Sequence, residues 1–309
     1  MTLPAFIPAG YTLERLLGSG STAHVFSARH PEFGTVALKL PKDDLKRAPV
    51  LGRMFENEVQ ITTALKHPRV VGAFEGYPTG EGAFLALEFC EGTLDAQLGR
   101  ALPLETVYRL VLDVAQGLLH SHTRQVLHRD VKPANVFIQE GRAKLGDFGT
   151  GTYLSDPLGN VRHAERVGTA FYMAPEVFRG EPATVRSDLY SLGILAYEVI
   201  GGVRPFTGRD EDELMLAHSS GVPVALRQHR PEVSAEMGRV VARAMSRTPE
   251  KRFGSADAFI SAFAEAAGLP ASGEAGELPV GRSGRARRAG DAPSPEKAGR
   301  FGWFSRKRS

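Results

Sequence analysis

Apolar residues recur along this chain in two rhythms. Over residues 11–89 they come in short runs broken by Gly and Pro. Residues 11–17 end at Gly18-Ser19-Gly20, residues 25–29 follow, and residues 35–40 come after a turn at Pro31-Glu32-Phe33-Gly34. Runs of this length, rich in β-branched residues and bounded by turn formers, predict strands. Two more are expected at 70–77 and 83–89, flanking a turn at Pro78-Thr79-Gly80. Between these groups the rhythm changes. Phe55, Val59 and Thr62 fall at three- and four-residue spacing, which predicts a helix over 50–66 ending near His67-Pro68. Five strands and one helix make a small N-terminal lobe.

Beyond a connector at Cys90-Glu91-Gly92 the helical period dominates. Val107, Leu110, Val111, Val114 and Leu118 form one stripe through 104–122. Short strands are expected at 136–139 and 143–145, around a turn at Glu140-Gly141-Arg142. Helices are expected at 184–200, 211–219, 234–246 and 255–267, the last with Ser255 as N-cap and Phe259 and Phe263 facing inward. The pattern is α+β: a small five-stranded lobe with one helix, then a larger, mainly helical lobe. From Gly268 onward periodicity stops and Gly, Ala, Pro, Ser and Arg take over, which predicts a disordered basic tail over 268–309.

Composition narrows the picture. Of 309 residues, 42% are hydrophobic, enough for a buried core. A single cysteine, Cys90, excludes an intramolecular disulfide framework and fits a reducing compartment. No signal-peptide pattern opens the chain, and the longest apolar stretch, 189–203, is interrupted by Glu198 and Gly201-Gly202. It reads as a buried helix rather than a membrane span, so a cytoplasmic protein is expected. The tail carries nine Lys or Arg against four Asp or Glu, a net of +5 against +3 for the whole chain. The basic balance therefore belongs to the tail and gives no argument for nucleic-acid binding by the globular part.

The chemistry concentrates in His128-Arg129-Asp130-Val131-Lys132-Pro133-Ala134-Asn135, followed twelve residues later by Asp147-Phe148-Gly149. This pair of motifs resembles the catalytic loop and metal-binding motif of eukaryotic-like serine/threonine protein kinases. Other segments match in order. Gly18-Ser19-Gly20-Ser21-Thr22-Ala23-His24-Val25 is similar to the family's Gly-rich loop, with Ala23 where a third glycine is usual. Val36-Ala37-Leu38-Lys39 resembles the family's lysine strand, and Gly168 to Glu176 resembles the end of its activation segment. The resemblance covers residues 11–267 and implies a two-lobed fold, with lobes at 11–89 and 93–267.

The resemblance also implies roles. Asp130 would orient the attacking hydroxyl and take its proton. Lys132 would offset charge on the γ-phosphate. Lys39, paired with Glu58 on the helix, would hold the α- and β-phosphates; Glu56 lies about 200° away on the helix and does not fit that role. Asn135 and Asp147 would bind Mg²⁺. Adenine of ATP would sit among Leu17, Val25, Ala37 and Phe137, beside Leu87 at the gatekeeper position. Backbone at Glu88, Phe89 and Cys90 would bond its edge, and Gly18, Ser19, Gly20 and Ser21 would lie over the phosphates. Glu176 would pair with Arg252, and Asp188 would hold the catalytic-loop backbone. Lys132 and Thr169 point to serine/threonine rather than tyrosine acceptors on protein substrates.

Two features leave alternatives open. Residues 156–168 contain no Ser, Thr or Tyr, so Arg129 lacks the phosphate it would normally receive there. Either Glu165 or Asp156 substitutes for it, a partner activates the protein, or the loop is simply solvated. The tail ends in Phe301-Gly302-Trp303-Phe304-Ser305-Arg306-Lys307-Arg308. It is either a solubilising linker or a segment that docks on a partner or an anionic membrane. Two rival functions also stand: a pseudokinase scaffold that binds without transfer, and a small-molecule phosphotransferase of related fold.

Overall fold

The computed structural model describes residues 4, 6–42, 48–154 and 170–271. The expectations placed on 156–168, on Thr169 and on the tail from 272 onward lie outside these residues. Strands β1 (Thr12–Ser19), β2 (Ala23–His30), β3 (Gly34–Pro41), β4 (Ala73–Tyr77) and β5 (Phe84–Glu88) form one sheet in the order β1-β2-β3-β5-β4, each neighbour antiparallel. Helix α1 (Pro49–Ala64) buries Phe55, Glu58, Val59 and Thr62, the face read from the apolar spacing.

The fourth strand starts later than expected. Val70 forms a parallel bridge to Leu145, and the Val71 amide donates to the Leu145 carbonyl. Val70 is buried in the core of the larger lobe, and Val71 in the cluster at the lobe junction. The apolar run 70–77 is thus one stretch serving two lobes, which its pattern alone does not reveal.

The larger lobe is built on α2 (Leu104–Thr123), whose stripe of Val107, Leu110, Val111, Val114 and Leu118 is buried. Strands β6 (Gly92–Thr93), β8 (Val136–Gln139) and β9 (Arg142–Leu145) form a second sheet, and β7 (Val126–Leu127) pairs with β10 (Thr152–Tyr153). A short helix α3 (Pro175–Phe178) precedes α4 (Val185–Gly201), which is buried along most of its length. Thr184 and Ser187 form a capping box at its start, and Gly202 ends it at φ +74°, a left-handed conformation that glycine adopts without strain. Around it pack α5 (Glu211–Ser220), α6 (Leu226–His229), α7 (Ala235–Ala244) and α8 (Ala256–Ala267). Ser255 caps α8 by accepting from the Ala258 amide. No helix among the described residues is long and apolar enough to cross a membrane.

One contact fixes how α2 meets the small lobe. A Cβ at Gly117 would lie 2.4 Å from the Arg69 carbonyl oxygen. Backbone cannot yield there as a side chain would, so Gly117→Ala is expected to destabilise the protein by about 1–3 kcal/mol, read from denaturant unfolding.

Candidate active site

The small lobe supplies an apolar ceiling and one cation. Leu17, Val25, Ala37, Leu87, Cys90 and Phe137 pack into a single buried cluster at the lobe junction. Val25, Leu87 and Phe137 face a narrow cavity of about 20 Å³, shared with Lys39, Glu58 and Asp147. Gly18 and Ser19 lie in β1 opposite Val25 and His24, and the Gly20 amide donates to the Ala23 carbonyl to close the turn. Gly20 and Ser21 face a second small cavity, bordered by Lys39, Asp130 and Asp147. Burial and nearby Glu88 push the Cys90 thiol up to about 12, so it stays protonated.

Lys39 is buried and donates to Glu58 Oε1. Its Nζ also lies 3.7 Å from Asp147 Oδ1. Burial alone would lower its pKa, but the Asp147 and Glu58 carboxylates outweigh that, and the net shift is upward. Lys39 is therefore a fixed ammonium. Glu56 instead bonds Gln60 on the exposed side of α1.

In the catalytic loop, Asp130 is held asymmetrically. Its Oδ2 accepts from Lys132 Nζ at 2.7 Å and from Asn135 Nδ2 at 2.9 Å. Asn135 Nδ2 also donates to the Asp130 carbonyl at 2.8 Å. Asp130 Oδ1 is buried and has no donor among the described residues. One carboxylate oxygen is thus pinned and the other presented.

The backbone around this group is strained. Arg129 has φ +67° and Asp147 has φ +60°. A non-glycine residue in that region costs about 1–3 kcal/mol and persists only where its surroundings over-determine it. Here Asp188 does the holding: its carboxylate accepts the His128 amide at 2.9 Å, the Arg129 amide at 2.8 Å and His122 Nε2 at 2.8 Å. His128 accepts the Asp130 amide at Nδ1 and donates from Nε2 to the Gly146 carbonyl, 3.0 Å away. Burial lowers its pKa, which fits this neutral tautomer. The Gly146 amide in turn donates to the Asn135 carbonyl. The segment that ends in Asp147 is thereby tied to the loop that carries Asp130.

Sequence reasoning missed some members. His128 links the two motifs through hydrogen bonds at both ring nitrogens, and motif position gives no hint of that geometry. Glu88 was placed only for its backbone. Its amide donates to the Gly72 carbonyl, so that group is committed within the protein. Its side chain accepts from Gly72 and from Lys144 Nζ, tying the connector to β9.

Farther out, Arg252 forms a bidentate pair with Glu176, both contacts 2.7 Å. Burial opposes ionisation of Glu176 and of Asp188. Arg252 for the first, and His122 and His128 for the second, nonetheless hold both carboxyls below their ordinary values. Depressed carboxyls stabilise fully above their unfolded-state pKa and lose that contribution as pH falls through the lower folded value. Stability is therefore expected to decline below about pH 4.5, and Glu176→Gln should flatten that decline in an acid titration followed by melting temperature.

A buried lysine–glutamate pair, an oriented aspartate and a second aspartate held in the left-handed region, all between two lobes, define a phosphotransferase-type site. The protein kinase domain family matches residues 11–264, and the chain belongs to that family. It is 32% identical to serine/threonine-protein kinase PknB of Mycobacterium leprae over 268 residues, covering 83% of this chain and 43% of that protein. It is 33% identical to PknB of Mycolicibacterium smegmatis over 267 residues, again 83% and 43%. To PknF of Mycobacterium tuberculosis it is 31% identical over 256 residues, 79% and 54%. The chain thus spans about half or less of the length of these curated relatives.

Proposed function

We propose that this chain is a cytoplasmic serine/threonine protein kinase that transfers the γ-phosphate of ATP to protein substrates, itself among them, with residues 11–267 as the kinase domain. The observation that carries the proposal is the presented Asp130 Oδ1, a buried carboxylate oxygen with no donor among the described residues, beside an oxygen held by two. A substrate hydroxyl donating to it would be oriented for attack and would have a base for its proton. Lys132, already on Asp130, places a positive charge where the transferred group carries negative charge.

The residues fit a divalent cation. Asn135 and Asp147 are oxygen-bearing side chains next to Asp130, and Mg²⁺ takes such oxygen ligands together with phosphates. When bound, Mg²⁺ would neutralise charge building up on the phosphates. Lys39, held by Glu58, would fix the nucleotide's phosphates, with the Gly18–Ser21 backbone above them. Leu17, Val25, Ala37 and Phe137 would enclose the adenine, with the Cys90 backbone and the Glu88 carbonyl at its edge. A protein acceptor is favoured by a cavity of about 80 Å³ beside Asp130, lined by Met173, Val177 and Ala183, where an apolar residue flanking the acceptor could sit.

The test is transfer of labelled γ-phosphate to a generic protein acceptor. Lys39→Met is expected to lower transfer by about 10²-fold or more, since it removes a preorganised charge aimed at the phosphates. Nucleotide binding by the wild type with no transfer to any acceptor would instead make the chain a scaffold.

A further inference from the structure

The cavity beside Asp130 has a charged side as well as an apolar one. Met173, Val177 and Ala183 line part of it, and Glu211, the first residue of α5, lines another part. Asp130 belongs to the same lining and is 6% exposed, and its Oδ1 is buried without a donor among the described residues. Buried acceptors are as a rule paired, so an orphaned one on a cavity marks the place of a ligand's donor. An open carboxylate, an orphaned acceptor and an apolar wall thus border one space.

The charges around this space are unevenly committed. Its bases are engaged within the protein. Lys132 pairs with Asp130, and Arg129, in the lining itself, has the Asp188 carboxylate close enough to act on its charge. Arg204 pairs with Glu198 and lies 4.1 Å from the Phe171 ring centroid. Arg209 pairs with Glu213, which leaves Glu211 exposed and without an ion-pair partner among the described residues. The first turn of α5 accommodates that acid, because the helix dipole favours negative charge there. A second open carboxylate comes from a different element. Asp95 starts the short helix after β6, is exposed, and has no ion-pair partner among the described residues. Burial and Glu198 push the Tyr172 hydroxyl up, and Asp95 adds to that shift, so its charge reaches a residue of the same cavity lining.

We propose that the acceptor segment taken here carries a lysine or arginine near the phosphorylated hydroxyl, selected by Glu211 and reinforced by Asp95. The inference rests on the kinase reading and names its substrate class: a short basic and apolar segment, not an acidic one. The hydroxyl donates to Asp130 Oδ1, an apolar side chain packs on Met173, Val177 and Ala183, and the base meets Glu211. An acidic segment would face two carboxylates that no base of this protein neutralises, so the same pair that attracts one class repels the other. Both carboxylates are exposed, so each contact is expected to give no more than about fivefold. Such a contact holds ground state and transition state alike, so the gain should lie in KM and not in kcat.

The test uses the full chain, labelled ATP, the generic protein acceptor and a peptide series. Each peptide holds one threonine in a neutral background with an apolar neighbour, and a single lysine, alanine or glutamate is moved through the three positions on each side. At the best position the lysine peptide is expected to exceed the alanine peptide about fivefold in kcat/KM, with glutamate below both. The gap should close as ionic strength rises from about 0.05 to 0.5 M, because exposed charges are screened. Glu211→Lys should reverse the order of the lysine and glutamate peptides. Glu211→Gln, which keeps the shape and drops the charge, should narrow the gap without reversing it, and Asp95→Asn should narrow it further. Circular dichroism checks that each variant is folded. Equal kcat/KM for the three residues at every position would overturn the inference, as would a lysine preference that survives Glu211→Lys. Labelling of the protein acceptor with no peptide above background would also overturn it, and in all three cases the kinase reading stands. No labelling of any acceptor by the wild type would instead overturn the kinase reading and this inference with it.

Discussion

Replacing Asp130 with asparagine is expected to reduce phosphoryl transfer by about 10²–10⁴-fold while leaving the melting temperature close to that of the wild type. Asparagine is isosteric with aspartate, and its carbonyl oxygen can take the place of Oδ2. There it still accepts from Lys132 and from Asn135, so the loop keeps the bonds that hold it. The amide nitrogen then falls where Oδ1 stood. Oδ1 is the oxygen with no donor among the described residues, and the substitution turns that acceptor into a donor. A substrate hydroxyl is no longer oriented by it and loses its base. Nucleotide affinity should change little, because the proposed reading gives the phosphate end of the site to Lys39 and Asp147. Single-turnover kinetics with saturating ATP, beside a nucleotide-binding titration, separate the two effects. Full transfer activity in Asp130→Asn would remove Asp130 from the catalytic role, and loss of nucleotide binding would make its role one of ground-state binding.

The legible part of this protein was its local chemistry. Short apolar runs between turn residues marked five strands, and β1, β2 and β3 start and end within two or three residues of the expected bounds. Helical spacing marked α1, α2 and α8 because each has one buried face, and α4 was legible as a buried helix because a long apolar stretch runs through it. The two-residue strands β7 and β10 were not expected. Each is too short to show a period, and their pairing is decided by chain ends meeting across the catalytic loop. The division of 70–77 between two lobes was hidden for a related reason. Val70 and Val71 are as β-prone as the residues after them, and only the approach of β9 takes them out of the small-lobe sheet.

The site divides similarly. Motif position singled out Lys39, Glu58, Asp130, Lys132, Asn135 and Asp147, and the fold brings them together between the lobes. What position could not supply was asymmetry: which oxygen of Asp130 is pinned, and which is presented. Nor could it supply the strain at Arg129, which depends on a carboxylate from α4, 59 residues away, receiving two successive backbone amides. Backbone donors leave no trace in a residue pattern.

The second large effect concerns stability. Arg252→Ala is expected to destabilise the protein by about 3–5 kcal/mol, more than most single substitutions, because it strands a buried carboxylate. The Arg252 side chain has no exposed surface, and that of Glu176 is 4% exposed. Arg252 also donates to the carbonyls of Ser246 and Arg186 and lies 4.7 Å from the Tyr190 ring centroid, so one side chain joins the approach to α8, the start of α4 and α3 itself. Removing it leaves Glu176 with Ser187 Oγ as a remaining side-chain donor. For a domain of this length the loss corresponds to a fall in melting temperature of roughly 6–20 °C. Glu176→Gln with Arg252→Met, which removes both charges, should cost less than Arg252→Ala alone, since most of the penalty comes from the unpaired carboxylate and not from the absent attraction. If the double variant proves the less stable of the two, the pair contributes net attraction, and the asymmetry assumed here is wrong. Either result bears on catalysis indirectly, because Glu176 closes the segment whose Tyr172 and Met173 border the Asp130 cavity. A destabilised anchor should therefore raise KM for a protein acceptor while leaving the proposed ATP binding, assigned to the other side of the cleft, unchanged.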